Sequence, residues 1–586
     1  MADPLRELLP SLPAPLRGQL EAHGRRILTD IIKVNTNSQY ALSSPVLADF
    51  RSAIGLIADH EDDGLYLKTF RQSVPLSVYD DYKPYCCRFF EKPCKESDVR
   101  DLLSPGIPDF LFMTSATSGN ECKYIPRFRY TLPGGRQASS PPPQPPPVLI
   151  TSWLRYVGYR EIIDVKGDNG QCMANIKVCS GTAATIRRRL GLYNDDEDET
   201  RMGRILSGHV TPFAASFIAE YRTFLLIHGL FSMANRDLEV FDAAFIGTFA
   251  DLIQCIDDDY TVLLGAIEKG VIPAYEGLDN LLSYLETNLS PNPERAAELR
   301  DIGAPSRAEG WAGRAFPKLK KITGVTSGAF AQVIPKVKWW LGPNCDINTT
   351  IYASTEGHVG IAYNPTNLNQ YRIMKEDYIE FLDISTDEQG TNLSAPWEVQ
   401  VGRQYEVILT TRDGLWRYRL DDVVEILGFT SQDGIPIIKY IGSRSGDIKL
   451  SGTITSETHL KEAILAAQDA LGPIYEFTVA RDERLLAATF GYFVELAGQL
   501  GLNPETAPQQ VLDSLLILNP ELRSSQADNK LRKPTIRIVK PGTFMEMRRW
   551  KANRGSGLSI GLIKTPLVFS DELTKEWIEK RVVQEI

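Results

Sequence analysis

The chain has 586 residues, 43% of them hydrophobic and 24% charged, an ordinary globular composition with length enough to bury more than one core. Its 64 Lys and Arg against 74 Asp and Glu leave a net charge of −10, which excludes broad attraction to nucleic-acid backbones or anionic lipid. Eight cysteines without a CxxC pair and six histidines without a zinc spacing exclude a disulfide framework and a tightly bound transition metal.

The opening residues lack the apolar core of a signal peptide, and no clean apolar run of about 18 residues occurs anywhere. A soluble, cytoplasmic protein that spans no membrane is expected. Residues 20–34 place Leu20, Ile27 and Ile31 at helical spacing, and VPLSVYDDYKPY (74–85) reads as an extended or turn segment. The proline-rich stretch 139–147 predicts a surface loop, since it cannot donate a backbone ladder. Arg187, Arg188 and Arg189 read as a solvated helix face and the acidic run 195–199 as a solvated loop, neither with assigned chemistry.

A long helical region is expected over 212–270, where Leu238, Phe241, Phe245, Phe249 and Ile253 recur every three or four residues. Residues 351–442 turn β-rich, with QYEVILTT, VVEILGF and PIIKYIG as strands. The polar, glycine-bearing stretch after Gly442 predicts a hinge over 443–447, which divides the chain into 1–442 and 443–586.

Three stretches carry chemistry. In PDFLFMTSATSGNECK a strand-like run breaks into Thr114, Ser115, Ala116, Thr117, Ser118 and Gly119, with Lys123 beyond. Such a loop can wrap phosphates, because hydroxyls and exposed amides donate to their oxygens while a lysine balances charge. It lacks the Walker pattern, and taken alone a Ser/Thr-rich turn is usually just a turn. In IYASTEGHVG, Tyr352 offers a ring for adenine and Glu356 a carboxylate for Mg²⁺, which takes few protein ligands and fills its shell with water and phosphate. His358 beside it has no partner visible in sequence and is read as structural or solvent-facing. In WRYRLDDVVEILGF, Asp421 and Asp422 precede a hydrophobic strand; neighbours in a strand face opposite ways and do not bracket one bond, so glycosidase chemistry is set aside. Trp416, Tyr418 and Phe429 read as core or wall.

Taken together and in this order, TSATSGNECK, YASTEG and YRLDDVVEILGF resemble the signatures of the auxin-responsive (Gretchen Hagen) acyl acid amido synthetase family, of the luciferase-like adenylate-forming superfamily. VPLSVYDDYKPY, TPFAASF and the terminal PGTF…IKTP resemble that family too, so most of the chain is covered. The resemblance implies an α/β fold: a large N-terminal adenylating domain with β-sheets and helices, and a smaller mobile α/β C-terminal domain. It implies that ATP and Mg²⁺ are bound, with Ser115, Thr117 and Ser118 on phosphate, Tyr352 flanking adenine, Asp422 on ribose, Glu356 on magnesium, and Thr355 and, near the hinge, Arg444 among the nucleotide-binding residues. Lys564, in GLIKTP, matches the family's C-terminal lysine; Glu356 and Lys564 are the expected catalytic pair. Ala116 and Asp421 stand where the family has glycines, and Leu567 where it often has arginine.

The implied reaction joins a carboxylic acid to AMP, because a carboxylate resists attack by amines until its oxygen becomes a good leaving group, and then passes the acyl group to an amine such as an amino acid. Transfer to a thiol (coenzyme A) or hydroxyl, loss of catalysis in a nucleotide-binding relative, and a non-enzymatic module are the rival readings. The acyl pocket is expected beneath the helices of about 205–256.

Overall fold

The computed structural model describes residues 8–55, 63–114, 122–128, 149–193, 195–385, 392–554, 565–569 and 571–586. The fold is mixed α/β. The helix Ala14–Asn35 follows Pro13, and its Leu20, Ile27, Leu28, Ile31 and Ile32 are buried on one stripe. At about 1.5–3 kcal/mol for each fully buried large aliphatic side chain, that stripe anchors the helix.

VPLSVYDDYKPY is not extended throughout: it contains the helix Tyr79–Cys86. Asp81 closes its first turn by accepting from the Val78 amide at 2.8 Å, and Tyr79, Tyr82 and Tyr85 turn inward at helical spacing. Pro84 removes one ladder donor, and the helix ends two residues later.

Among the described residues, a nine-stranded antiparallel sheet runs in the order Ile351–Ala353, His358–Ala362, Tyr371–Ile373, Pro436–Ser443, Tyr418–Thr430, Gln404–Thr410, Tyr378–Asp383, Leu393–Ser394, with Leu8–Leu9 added on Tyr418–Thr430. Its buried face shares one core with the N-terminal helices and with the five-stranded sheet containing Phe110–Met113 and Tyr124–Arg127. Arg417 stitches that core. Its guanidinium forks onto Glu380 at 2.9 and 2.8 Å and donates to the carbonyls of Arg71 and Val74 at 3.0 and 2.8 Å, while Ser77 bonds Trp416 and Arg417.

The expected helical stretch 212–270 is interrupted by a strand, Val240–Phe245. It lies between Thr151–Leu154 and Lys321–Val325 in a fully parallel four-stranded sheet, with the helices Tyr221–Ala234, Ile246–Asp258 and Tyr260–Lys269 packed around it in a second core. A buried parallel strand reads as an apolar run, and here Phe241 and Phe249 imitated a helical repeat while meeting edge to face, 5.1 Å between centroids.

Two polar stretches are not solvated as expected. Arg187 is fully buried in the helix Gly181–Leu190, paired with Asp198 at 3.0 and 2.7 Å, and Asp198 belongs to a helix, Asp195–Met202. Arg188 pairs with Asp109. The proline-rich loop lies outside the described residues.

The C-terminal sheet, Ile474–Asp482, Thr489–Leu496, Thr535–Val539 and Val582–Glu585, has its own core with the helices Glu457–Ala466 and Ala507–Leu518. Leu567, where the resemblance expects arginine, is buried in it. No helix among the described residues is long and apolar enough to cross a membrane.

Candidate nucleotide site

The strand Ile351–Ala353 ends in a turn that Ser354 closes. Its hydroxyl oxygen accepts from the amides of Glu356 and Gly357 at 3.2 and 3.1 Å, and its own amide donates to the Gly357 carbonyl at 2.9 Å. The turn leaves Glu356 buried beside the strand Tyr418–Thr430, where the Tyr418 hydroxyl donates to Glu356 Oε1 at 3.1 Å. Lys123 Nζ stands 3.7 Å from the same oxygen and donates to Tyr418 at 3.3 Å. Burial and the Glu356 charge raise the Tyr418 hydroxyl well above the ordinary tyrosine value, so it stays a donor.

Lys123 and Thr114 clamp the two ends of the hydroxyl-rich loop: the Thr114 amide donates to the Lys123 carbonyl at 3.0 Å, and the Lys123 amide to Thr114 Oγ1 at 3.0 Å. Lys123 thus sets one end of TSATSGNECK against the Tyr418–Glu356 pair, with Thr114 bonded to its backbone. Ser115, Thr117 and Ser118 lie outside the described residues, as does Lys564.

Tyr352 is buried with its ring against Tyr371 and Tyr440, and its hydroxyl donates to Asp422 Oδ2 at 2.7 Å. Asp422 lies opposite Ser443 in the sheet, which puts the entrance of the 443–447 segment beside it. Arg444 donates to Glu406 Oε2 at 3.2 Å, and the fully buried Glu406 is also held by Arg419 at 2.8 and 2.6 Å. Asp447 is pushed up to about 6 by burial.

Asp421 departs from the simple alternation expected of it. Its φ is +61°, inside a bulge where three residues of Tyr418–Thr430 oppose Val407 alone. This is left-handed backbone, the conformation a glycine adopts freely and an aspartate only at a cost. Its half-buried carboxylate makes no hydrogen bond or ion pair with the described residues, and burial with nearby Glu406 raises its pKa.

Three contributors escaped the sequence reading. Arg127 pairs with Asp413 and donates to the Thr355 carbonyl at 2.8 Å, which fixes the back of the Glu356 turn. Asp413 in turn accepts from the Phe128 amide at 2.9 Å. Tyr79, on the unexpected helix, accepts from the Tyr124 amide at 2.9 Å and presents its ring to the Lys123 ammonium. For Arg127 the sequence signal was the alternation in KYIPRF, which puts it in register after the loop, while Tyr79 lay in VPLSVYDDYKPY without a role assigned to it.

Magnesium is not ruled in by a ligand cluster: no group of three or more His, Cys, Asp or Glu gathers among the described residues. One buried carboxylate beside the anchored ends of a hydroxyl-rich stretch nevertheless fits Mg²⁺, which a protein often holds by one or two carboxylates plus substrate phosphates. His358 is exposed on His358–Ala362.

Residues 18–140 and 174–345 match the GH3 family N-terminal domain, 371–442 its central domain and 458–572 its C-terminal domain. Indole-3-acetic acid-amido synthetase GH3.8 of Oryza sativa subsp. indica is 26% identical over 540 residues, 88% of this chain and 85% of its own. Jasmonoyl–L-amino acid synthetase JAR6 of Nicotiana attenuata is 23% identical over 527 residues, 85% of each chain. The solved GH3.15 acyl acid amido synthetase superposes with a TM-score of 0.75 at 22% identity, over 98% of this chain and 96% of that one.

Proposed function

Because the chain belongs to the GH3 family, we propose that it is an ATP-dependent acyl acid amido synthetase, which activates a small carboxylic acid as its acyl adenylate and transfers the acyl group to an amine, an amino acid being the first candidate. The observation that carries this reading is the meeting of Glu356, Tyr418 and Lys123 at the clamped ends of a hydroxyl loop, next to the Tyr352–Asp422 pair.

ATP lies with its ribose on Asp422 and its phosphates on Ser115, Thr117, Ser118 and the positive charge of Lys123. Tyr352 orients the Asp422 carboxylate that receives the ribose hydroxyls and walls the nucleoside, and Thr355 and Arg444 complete its surroundings. Glu356 would hold Mg²⁺, which supplies charge neutralisation at the phosphates. The acid's carboxylate oxygen attacks the α-phosphorus, pyrophosphate leaves, and Lys564 meets the charge gathering on the reacting oxygens. The amine then attacks the acyl carbon, AMP departs with the C–O bond's electrons, the nitrogen gives up a proton to solvent, and the amide remains. The division at residue 443 belongs to the same reading: 1–442 carries the nucleotide and acid, and 443–586 moves between half-reactions. The acid is placed against the helices flanking the parallel sheet, whose apolar core suits an aromatic or aliphatic acid. Its eight free cysteines accord with the reducing cytoplasm.

ATP–pyrophosphate exchange over a panel of acids tests the first half, with exchange expected only when magnesium and an acid are both present. Exchange that ignores the acid would overturn it. Product masses from pooled amines against coenzyme A test the second half: a thioester with no amide moves the assignment to a coenzyme A ligase.

A further inference from the structure

The N-terminal part and the C-terminal unit meet at a buried guanidinium. Arg548, on the helix Thr543–Arg554, donates through Nε and Nη2 to Asp251 at 2.9 and 2.7 Å, and through Nη1 to Glu476 at 2.6 Å and to Thr565 Oγ1 at 2.9 Å. Asp251 belongs to the helix Ile246–Asp258 of the N-terminal part and also accepts from Tyr221 at 2.8 Å; Glu476 belongs to the first C-terminal strand; Thr565 directly follows Lys564. One side chain therefore ties three segments, beside Phe477 to Gln332 at 3.0 Å, Arg549 to Glu220 at 2.8 Å and the packing of Tyr475 and Met545 against the N-terminal apolar core.

The charged groups of this seam favour its opening more than an all-apolar seam would. Two carboxylates face one guanidinium, and Glu476 Oε2 has no hydrogen-bond partner among the described residues. Apolar side chains would hold the two parts together at less desolvation cost, but they would resist separation in water; charged groups regain hydration when the seam opens. Without the arginine, Asp251 and Glu476 would bury two like charges on opposing surfaces and push them apart.

We propose that Arg548 is a positioning residue for adenylation: it latches Thr565 and the C-terminal sheet onto Asp251, and so fixes the arrangement of the C-terminal unit from which Lys564 acts. The proposal rests on the reading above for the role of Lys564, and on the contacts of Arg548 for the latch itself. Release of Arg548 from Asp251 is then a required step between adenylation and transfer.

The test uses the full chain with Arg548→Met, Arg548→Lys and Asp251→Asn. Pyrophosphate exchange reads the first half-reaction, and conversion of a synthetic acyl adenylate with the amine reads the second. Arg548→Met and Asp251→Asn should lower exchange at least tenfold relative to transfer, with Arg548→Lys between them and the parent. Equal loss in both half-reactions, or loss in neither, overturns the proposal. If Arg548→Met fails to fold, the ratio in the other two variants decides. Small-angle scattering separates this from the activity assignment: the radius of gyration should rise in Asp251→Asn and Arg548→Lys whether or not any acid supports exchange, and an unchanged radius in both overturns the latch while leaving the activity to its own test.

Discussion

Tyr352 and Asp422, 70 residues apart in sequence, share a 2.7 Å hydrogen bond in which the phenol is donor and the carboxylate acceptor. Burial and the Asp422 charge hold the phenol far above its ordinary pKa, so the donor persists at any working pH. A bond to a charged group contributes about 1.5–3 kcal/mol. Tyr352→Phe should therefore raise the KM for ATP roughly tenfold to a hundredfold, since 1.4 kcal/mol is one decade. Exchange kinetics with varied ATP check this, and an unchanged KM would remove the ribose role of Asp422 as oriented here.

Lys564→Ala should stall the first half-reaction far more than the second. Loss of a charge-assisted donor in a closed site costs about 2.7–4 kcal/mol, roughly a hundred- to thousandfold in rate. Supplying synthetic acyl adenylate bypasses the step that needs the ammonium. Equal losses in both assays, with the fold intact by circular dichroism, would rule out the assigned role.

Asp421→Gly should relieve backbone strain and remove a negative charge next to the nucleotide site. A β-carbon in the left-handed region costs roughly 1–2 kcal/mol, somewhat less for aspartate. The melting temperature should rank Gly at or above Asp and Asp above Val at this position, and the KM for ATP should fall in the glycine variant. A glycine variant that melts lower than the parent would show that the carboxylate stabilises its surroundings more than the backbone strains.

Asp377 gives a pH signature. Burial, with Asp413 nearby, pushes its carboxyl up to about 6 despite the Arg412 amide at 2.9 Å. A folded pKa above the unfolded value means that the folded state holds a proton the unfolded chain has released, so stability falls as pH rises from about 4 to about 6 and then levels. Asparagine keeps the acceptor and removes the titration. The melting-temperature difference between Asp377→Asn and the parent should accordingly grow in favour of the variant from pH 4 to 6 and stay constant from 7 to 8. A difference independent of pH would mean the group is not held protonated.

How much of this was legible beforehand depended on whether a residue's partner was local. The strands Gln404–Thr410 and Pro436–Ser443 announced themselves by β-branched runs, and the three motifs named Tyr352, Glu356 and Asp422 because each sits at an abrupt end of such a run. Arg187 and Asp198 looked solvated because charge composition is a surface signal until a buried partner is known, and their pairing crosses two helices. Val240–Phe245 was hidden because an aromatic every three or four residues fits a helix as well as a parallel strand running into one. The Asp421 bulge had a trace in sequence, an aspartate at a glycine position, but the sign of its φ belongs to the pairing with Gln404–Thr410. Arg127 and Tyr79 act on the site through a carbonyl and an amide, contacts that no residue type advertises.

The hold of Arg417 on the carbonyls of Arg71 and Val74 spans 346 and 343 positions of chain. At roughly 5–20 residues per second, a ribosome needs about 20–70 s to deliver the arginine after those carbonyls have emerged. For that interval the apolar stripe of Ala14–Asn35 and the tyrosines of Tyr79–Cys86 have the five-stranded sheet beside them but await the nine-stranded sheet that completes their core. These helices are therefore made well before, and packed only together with, the strands that complete their core. Chains released before Arg417 would carry uncovered hydrophobic helices and invite chaperones, and refolding in the test tube should be slow for the same reason, since its rate is set by closing loops of several hundred residues.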